Sequence, residues 1–221
     1  MNEGPLHAAL KAWYAEPGDR EEVPMDGRQI DLVRGETLIE IQTKSLGSLS
    51  QKLQVLLEHH RVVVVHPVGV EKWVVRLDED GVVLGRRKSP KRGRLEDAFE
   101  ELVGLAKVLA HPNFSLEILL VAEDEVRRHE PGRVWRRKGW VIVERRLVNV
   151  LERRVFQGGD AFRDLLPHGL PAPFTTAHLA QSLGIPRDLA QKMAYCLRAS
   201  GAVVDDGKDG NARRYRLRAD A

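Results

Sequence analysis

The stretch QIDLVRGETLIEIQTK, residues 29–44, has the form of a tight β-hairpin. Two alternating apolar runs flank Gly35 and Glu36, and glycine at the first loop position suits a type II′ turn. With those two residues as the loop, Arg34 opposes Thr37 and Asp31 opposes Glu40. Directly opposed residues carry Cβ atoms about 4.5–5.5 Å apart, so two like charges there destabilise the hairpin unless something compensates. A divalent cation is one compensator, because hard cations prefer carboxylate oxygens. A cationic neighbour is another. Alternate strand positions share a face, which groups Leu38, Glu40, Gln42 and Lys44 against Ile39, Ile41 and Thr43.

On the N-terminal side, residues 5–15 fit a short amphipathic helix, with Leu6, Leu10 and Trp13 at i, i+4, i+7 spacing. A connector rich in turn residues joins it to the hairpin. On the C-terminal side, residues 46–60 predict a helix whose Leu49, Leu53, Leu56 and Leu57 form one stripe. The run RVVVVHPV, residues 61–68, suits a strand buried on both faces. Residues 71–78 and 81–87 predict a second hairpin, 94–110 a helix and 114–128 a strand. Residues 133–156 allow a helix, through Val143, Leu147, Val150 and Leu151, or strands, through their β-branched content. Gly and Pro density at 157–173 marks a boundary.

The composition is compatible with this α/β pattern. The 221 residues suffice for one large domain or two small ones, and 43% hydrophobic against 30% charged content allows a packed core. Net charge is only +3, but the pI is about 9.1 and the cations cluster, which points to an anionic partner. A single cysteine, Cys196, rules out a disulfide framework and a cysteine-based zinc site, and its mid-helix position reads as packing. His59, His60 and His66 lack zinc-site spacing, and the first two are expected to end the 46–60 helix. No basic segment followed by an apolar run opens the chain, and no window reaches the roughly 18 apolar residues of a membrane span. A cytoplasmic protein without membrane contact is therefore expected. Glycine-rich phosphate loops are absent, so no nucleotide cofactor is expected.

The pattern D-x8-E-x-Q-x-K, followed by helix 46–60 and strand 61–66, resembles the PD-(D/E)XK nuclease superfamily. The resemblance covers roughly residues 1–70 and implies a restriction-endonuclease-like αβββαβ core. It implies Asp31 and Glu40 as the acids of a Mg or Mn site, with the Ile41 carbonyl as a further ligand. Gln42 stands where a lysine is commonest in that family, and Lys44, on the same face, is the substitute ammonium. Members often add a Glu from the first helix, a role for which Glu3 is the candidate and Glu16 a poorer one. A plain hairpin face, with acid, amide and base satisfying one another, is the competing reading of these residues, and Glu3 also reads as an acid complementing a helix dipole.

Beyond the boundary, TTAHLAQSLGIPRDLAQKMAYCLRASGAV has helix-turn-helix spacing. Thr175 or Thr176 is placed to cap the first helix, Gly184 to end it and Pro186 to start the second. A strand, a polar turn and a second strand follow, and residues 174–218 resemble a winged helix. Arg187, Gln191 and Lys192 on the second helix and Lys208, Arg213 and Arg214 on the wing are the expected DNA contacts, since such a helix enters the major groove while wing cations meet phosphates. Winged helices also serve as protein-interaction modules. The segment 85–94, GRRKSPKRGR, packs six cations into ten residues. Its Arg86, Arg87, Lys88, Lys91 and Arg92 suit a loop on a phosphate backbone, or simply a solvated loop. Trp135 and Trp140 lie among further cations, where core anchoring competes with base stacking.

The expected organisation is thus a nuclease-like domain over 1–156 and a winged helix over 160–221. The expected function is a metal-dependent DNA endonuclease or DNA-processing protein, with a homodimer possible for cutting both strands. A catalytically inactive DNA-binding protein, or a transcriptional regulator reading sequence through the winged helix, is the rival class.

Overall fold

The structure is a computed structural model describing residues 4–130, 132 and 138–218. The hairpin forms in the expected register. Strands β2 (Arg28–Arg34) and β3 (Thr37–Ile41) pair antiparallel, with Arg34 opposite Thr37 and Leu32 opposite Ile39. Gly35 has φ +57°, the left-handed value that a glycine adopts without steric penalty. The ladder stops at Leu32, and the two strands part at Asp31 and Glu40.

β1 (Arg20–Met25) flanks the hairpin on one side. On the other, β3 runs parallel to β4 (Arg61–Leu77), which runs parallel to β6 (Phe114–His129). The edge strand is β7 (Trp140–Gln157), antiparallel to β6. β5 (Val83–Lys88) pairs with the far half of β4, on the edge that β3 has left. The result is a mixed seven-stranded sheet in the order β1-β2-β3-β4-β6-β7, with β5 beside β4. The ambiguous segment 133–156 therefore resolves as strand from residue 140 onward, because β6 supplies a long partner for its backbone groups. Residues 131 and 133–137, including Trp135, lie outside the described residues.

Helix α1 (Pro5–Tyr14) lies on one face of the sheet, burying Leu6, Leu10 and Tyr14 against Leu32, Ile39, Ile41, Val65, Leu119 and Val121. The expected third contact, Trp13, is 47% exposed instead. Tyr14 takes its place because its ring is clamped between the guanidinium groups of Arg34 and Arg153, 5.2 and 5.3 Å from the centroid.

The other face carries the larger core. Leu46–Leu49 form a 3-10 turn leading into α2 (Ser50–Leu56), so the expected 46–60 helix is shorter and ends before His59 and His60. The expected helix 94–110 is likewise divided, with α3 (Phe99–Leu102) between 3-10 turns. Its Gly104 crosses Gly47 so closely that a Cβ would lie 2.5 Å from the Gly47 Cα.

After a 3-10 turn at Asp160–Leu165 come β8 (Phe174–Thr175), α4 (Thr176–Leu183), α5 (Arg187–Ser200), β9 (Val203–Asp209) and β10 (Ala212–Leu217). Thr175 caps α4 in a reciprocal pair of bonds with His178, and Gly184 ends it in the left-handed conformation. β8, β10 and β9 make a three-stranded antiparallel sheet. This unit shares one core with the large sheet: Leu53, Phe99, Leu109 and Phe156 are continuous with Leu179, Met193 and Leu197.

Candidate active site

The site lies where β2 and β3 part. With no ladder partner there, the Ile41 N–H donates to Asp31 Oδ2 at 2.7 Å. Asp31 Oδ2 also lies 3.3 Å from His7 Nε2 on α1. Burial raises the Asp31 carboxyl, but the bonds from His7 and Ile41 and the charges of His7 and Lys52 outweigh it, holding the group below its ordinary value.

Glu40 is only 4% exposed. Lys52 on α2 reaches across the core face and places Nζ 2.5 Å from Glu40 Oε1. The contact is close but poorly angled, and Oε1 is left buried without a hydrogen-bond donor in good geometry. Lys52 also donates to the Gln29 carbonyl. Burial dominates over Lys52 and pushes the Glu40 carboxyl up to about 7, with Asp31 adding in the same direction. The two acids are thus driven apart, one held ionised and one titrating near neutrality, which is the pattern of acid–base pairs at functional sites.

The far end of β3 has a simple origin. Gln42 N–H donates to the Val65 carbonyl at 2.9 Å. In a parallel ladder the Gln42 carbonyl would next receive the N–H of residue 67, but that residue is proline. His66 Nδ1 takes the carbonyl instead, at 2.7 Å, and burial lowers the His66 pKa. The Gln42 side chain turns away to Ser48 Oγ, at 2.9 Å. β3 ends at Ile41, so Lys44 does not share a strand face with Glu40. It is exposed in the bend beyond. The ammonium beside the acids is that of Lys52. Glu3 lies outside the described residues, and Glu16 pairs with Arg34 rather than with this cluster. His7 and Lys52 come from helices on opposite faces of the sheet, and no linear motif signals either.

The donor set suits a hard cation in part. Among the described residues no three His, Cys, Asp or Glu side chains converge as a metal cage. Mg²⁺, however, is commonly held by one or two carboxylates with the remaining positions left to water and substrate phosphate. Asp31, Glu40 and the Ile41 carbonyl, all oxygen donors, meet that requirement, and the under-satisfied Glu40 Oε1 is the atom that would gain most.

The expected nucleic-acid contacts are dispersed. Arg86 bonds Asp124 and lies over Trp73, and Lys88 joins Glu71 and also lies over that ring. Arg87, Lys91 and Arg92 are exposed. Trp140 is half-buried beneath Arg76. On α5, Arg187 and Gln191 are exposed, while Lys192 pairs with Glu100 of α3. Arg213 pairs with Asp205, Arg214 donates to the Asp206 carbonyl, and Lys208 is exposed. Arg94 anchors the basic loop to the end of α4 through the Leu183 and Gly184 carbonyls, at 2.9 and 3.1 Å.

Fold and site together define a mixed α/β protein with an acid–lysine cluster at a split hairpin. The chain belongs to the family described as "Domain of unknown function (DUF8091)", whose model matches residues 4–157, stopping where β7 ends. It is also similar to an "Uncharacterized protein" of Treponema pallidum (strain Nichols), 33% identical over 213 residues that cover 96% of this chain and 84% of the relative. No solved structure matches the chain. No helix among the described residues is long and apolar enough to cross a membrane.

Proposed function

We propose that this chain is a metal-dependent DNA nuclease on the PD-(D/E)XK plan, with Lys52 supplying the ammonium that the strand lysine supplies elsewhere. The observation that carries the reading is the Asp31–Glu40–Lys52 cluster at the split between β2 and β3. The order α1, β1–β3, α2, β4 around it agrees with a restriction-endonuclease-like core. The α4–α5 pair followed by the β9–β10 hairpin agrees with a winged helix that helps to hold duplex substrate.

Asp31, Glu40 and the Ile41 carbonyl would hold Mg²⁺ or Mn²⁺. A bound ion supplies charge for the scissile phosphate and lowers the pKa of a coordinated water. Asp31 contributes a permanently ionised carboxylate. Glu40, whose carboxyl burial pushes up to about 7, would release its proton on taking up the ion, so metal affinity would rise with pH through neutrality. Lys52 balances charge beside Glu40.

Calorimetry with Mn²⁺ and Mg²⁺, together with cleavage assays on duplex and single-stranded DNA, tests the reading. Wild type is expected to bind metal and cut, Asp31→Ala with Glu40→Ala to lose both, and Lys52→Ala to lose cutting by about 10²-fold or more. The absence of metal binding even with DNA present would sink the nuclease reading. DNA binding alone, lost on Arg187→Ala with Lys208→Ala, would instead identify a DNA-binding protein on a nuclease-like scaffold.

A further inference from the structure

β7 is the edge of the large sheet over its whole length of 18 residues. Long edge strands are normally protected by charge, proline or bulges that turn them away from other chains. β7 does carry three bulges. In its pairing with β6, Leu151 is skipped between Glu152 and Val150, Val148 between Asn149 and Leu147, and Val143 between Glu144 and Ile142. A bulge re-aims its extra side chain, and here the extra side chains are apolar and left in solvent. Val143, Val148 and Leu151 are 41, 46 and 47% exposed, and Val155 on the same strand is 44% exposed. A protective bulge would present the opposite chemistry.

The sequence of the strand reads nearly the same in both directions about Asn149: VERRLV, Asn, VLERRV. We propose that β7 is the face through which two copies of this chain associate, antiparallel about a two-fold axis at Asn149. In that arrangement Val143 meets Val155 of the second copy, Leu147 meets Leu151, and Val148 meets Val150. Every exposed apolar residue of the strand gains an apolar partner. Glu144 meets Arg154 of the second copy and Arg146 meets Glu152, each twice by symmetry, as an isologous contact requires. A parallel arrangement would set like against like. The one like-charge coincidence, Arg145 with Arg153, falls on an arginine already neutralised by two 2.7 Å bonds to Glu117. Within one copy, Glu152 pairs with Arg154 and the half-buried Glu144 with the exposed Arg146 along the strand; pairs at the surface are worth little and re-pair readily. The bulges interrupt a continuous ladder, so side chains carry the contact.

The proposal is tested on the full chain by sedimentation equilibrium. Wild type is expected to dimerise. Glu152→Arg and Arg146→Glu alone should each weaken the dimer roughly tenfold, since two attractive pairs become repulsive. The double variant Arg146→Glu with Glu152→Arg should restore wild-type affinity, because the pairs are re-formed with their signs exchanged. Leu151→Asp should leave a monomer. Circular dichroism melts of each variant establish that the fold is intact, and the charge swap keeps the test valid if one single variant is less stable. A wild type still monomeric at about 100 μM, a dimer indifferent to Glu152→Arg and Leu151→Asp, or a swap as weak as the singles would each overturn the proposal. None of these outcomes depends on nuclease activity.

Discussion

At Glu40 the chemistry turns on one buried carboxyl. Its value near 7, against an ordinary 4.5, means that between those pH values the folded protein holds a proton the unfolded chain has released. A raised acid of this kind adds no penalty below about pH 4.5, and the penalty grows to roughly 3 kcal/mol above pH 7. The protein should therefore lose stability as pH rises from about 4.5 to about 7, and Glu40→Gln should flatten that slope in thermal melts. An unchanged slope would mean that Lys52 already holds Glu40 ionised. Asp31 works in the opposite sense. Its lowered value gives stability above the ordinary carboxylate range that is lost as pH falls through the folded value. Asp31→Asn should be destabilising at neutral pH and converge on wild type in acid. Added Mn²⁺ should raise the melting temperature of wild type and not of Asp31→Asn, since a ligand stabilises only the state that binds it.

Elements hold the acids at the right places through their ends more than their middles. The β2–β3 register depends on Gly35 at φ +57°, where a Cβ is disfavoured by roughly 1 kcal/mol. Gly35→Ala should cost about that much in urea unfolding; no loss would show that the turn relaxes freely and that the register is set elsewhere. Pro67 ends the β3–β4 ladder and His66 covers the carbonyl it strands. The hairpin splits where the Asp31 carboxylate takes the Ile41 N–H, and proline separately ends the pairing of β3 with β4. At the start of α4, Thr175 and His178 exchange bonds, and Thr175→Ala should cost about 1 kcal/mol.

For the whole molecule, the shared core predicts joint melting of the large sheet and the C-terminal unit. Calorimetry should record one transition, and two well-separated transitions would contradict the continuity from Phe99 to Met193. The junction is tight at Gly159, where a Cβ would lie 1.8 Å from the Ser200 carbonyl oxygen. Gly159→Ala must push the two units apart and should cost roughly 2 kcal/mol or more. The same docking engages Lys192 with Glu100 and Arg94 with the end of α4.

The local pattern determined much of this protein. Alternation and a glycine turn specify the hairpin and its register, leucine spacing specifies the stripe of α2, and Thr175, Gly184 and Pro186 bracket the α4–α5 pair, because each depends only on residues a few positions apart. Other features were legible only once the chain was folded. Tyr14 replaced Trp13 in the core because two distant arginines clamp its ring. Residues 140–156 became strand because β6 lay beside them. The ammonium beside Glu40 came from Lys52, and the imidazole beside Asp31 from His7, because helices on opposite faces of the sheet converge where the hairpin splits. The sequence places acids on a strand by counting, but which cation answers them depends on packing across the sheet, and packing brings together residues that no linear spacing relates.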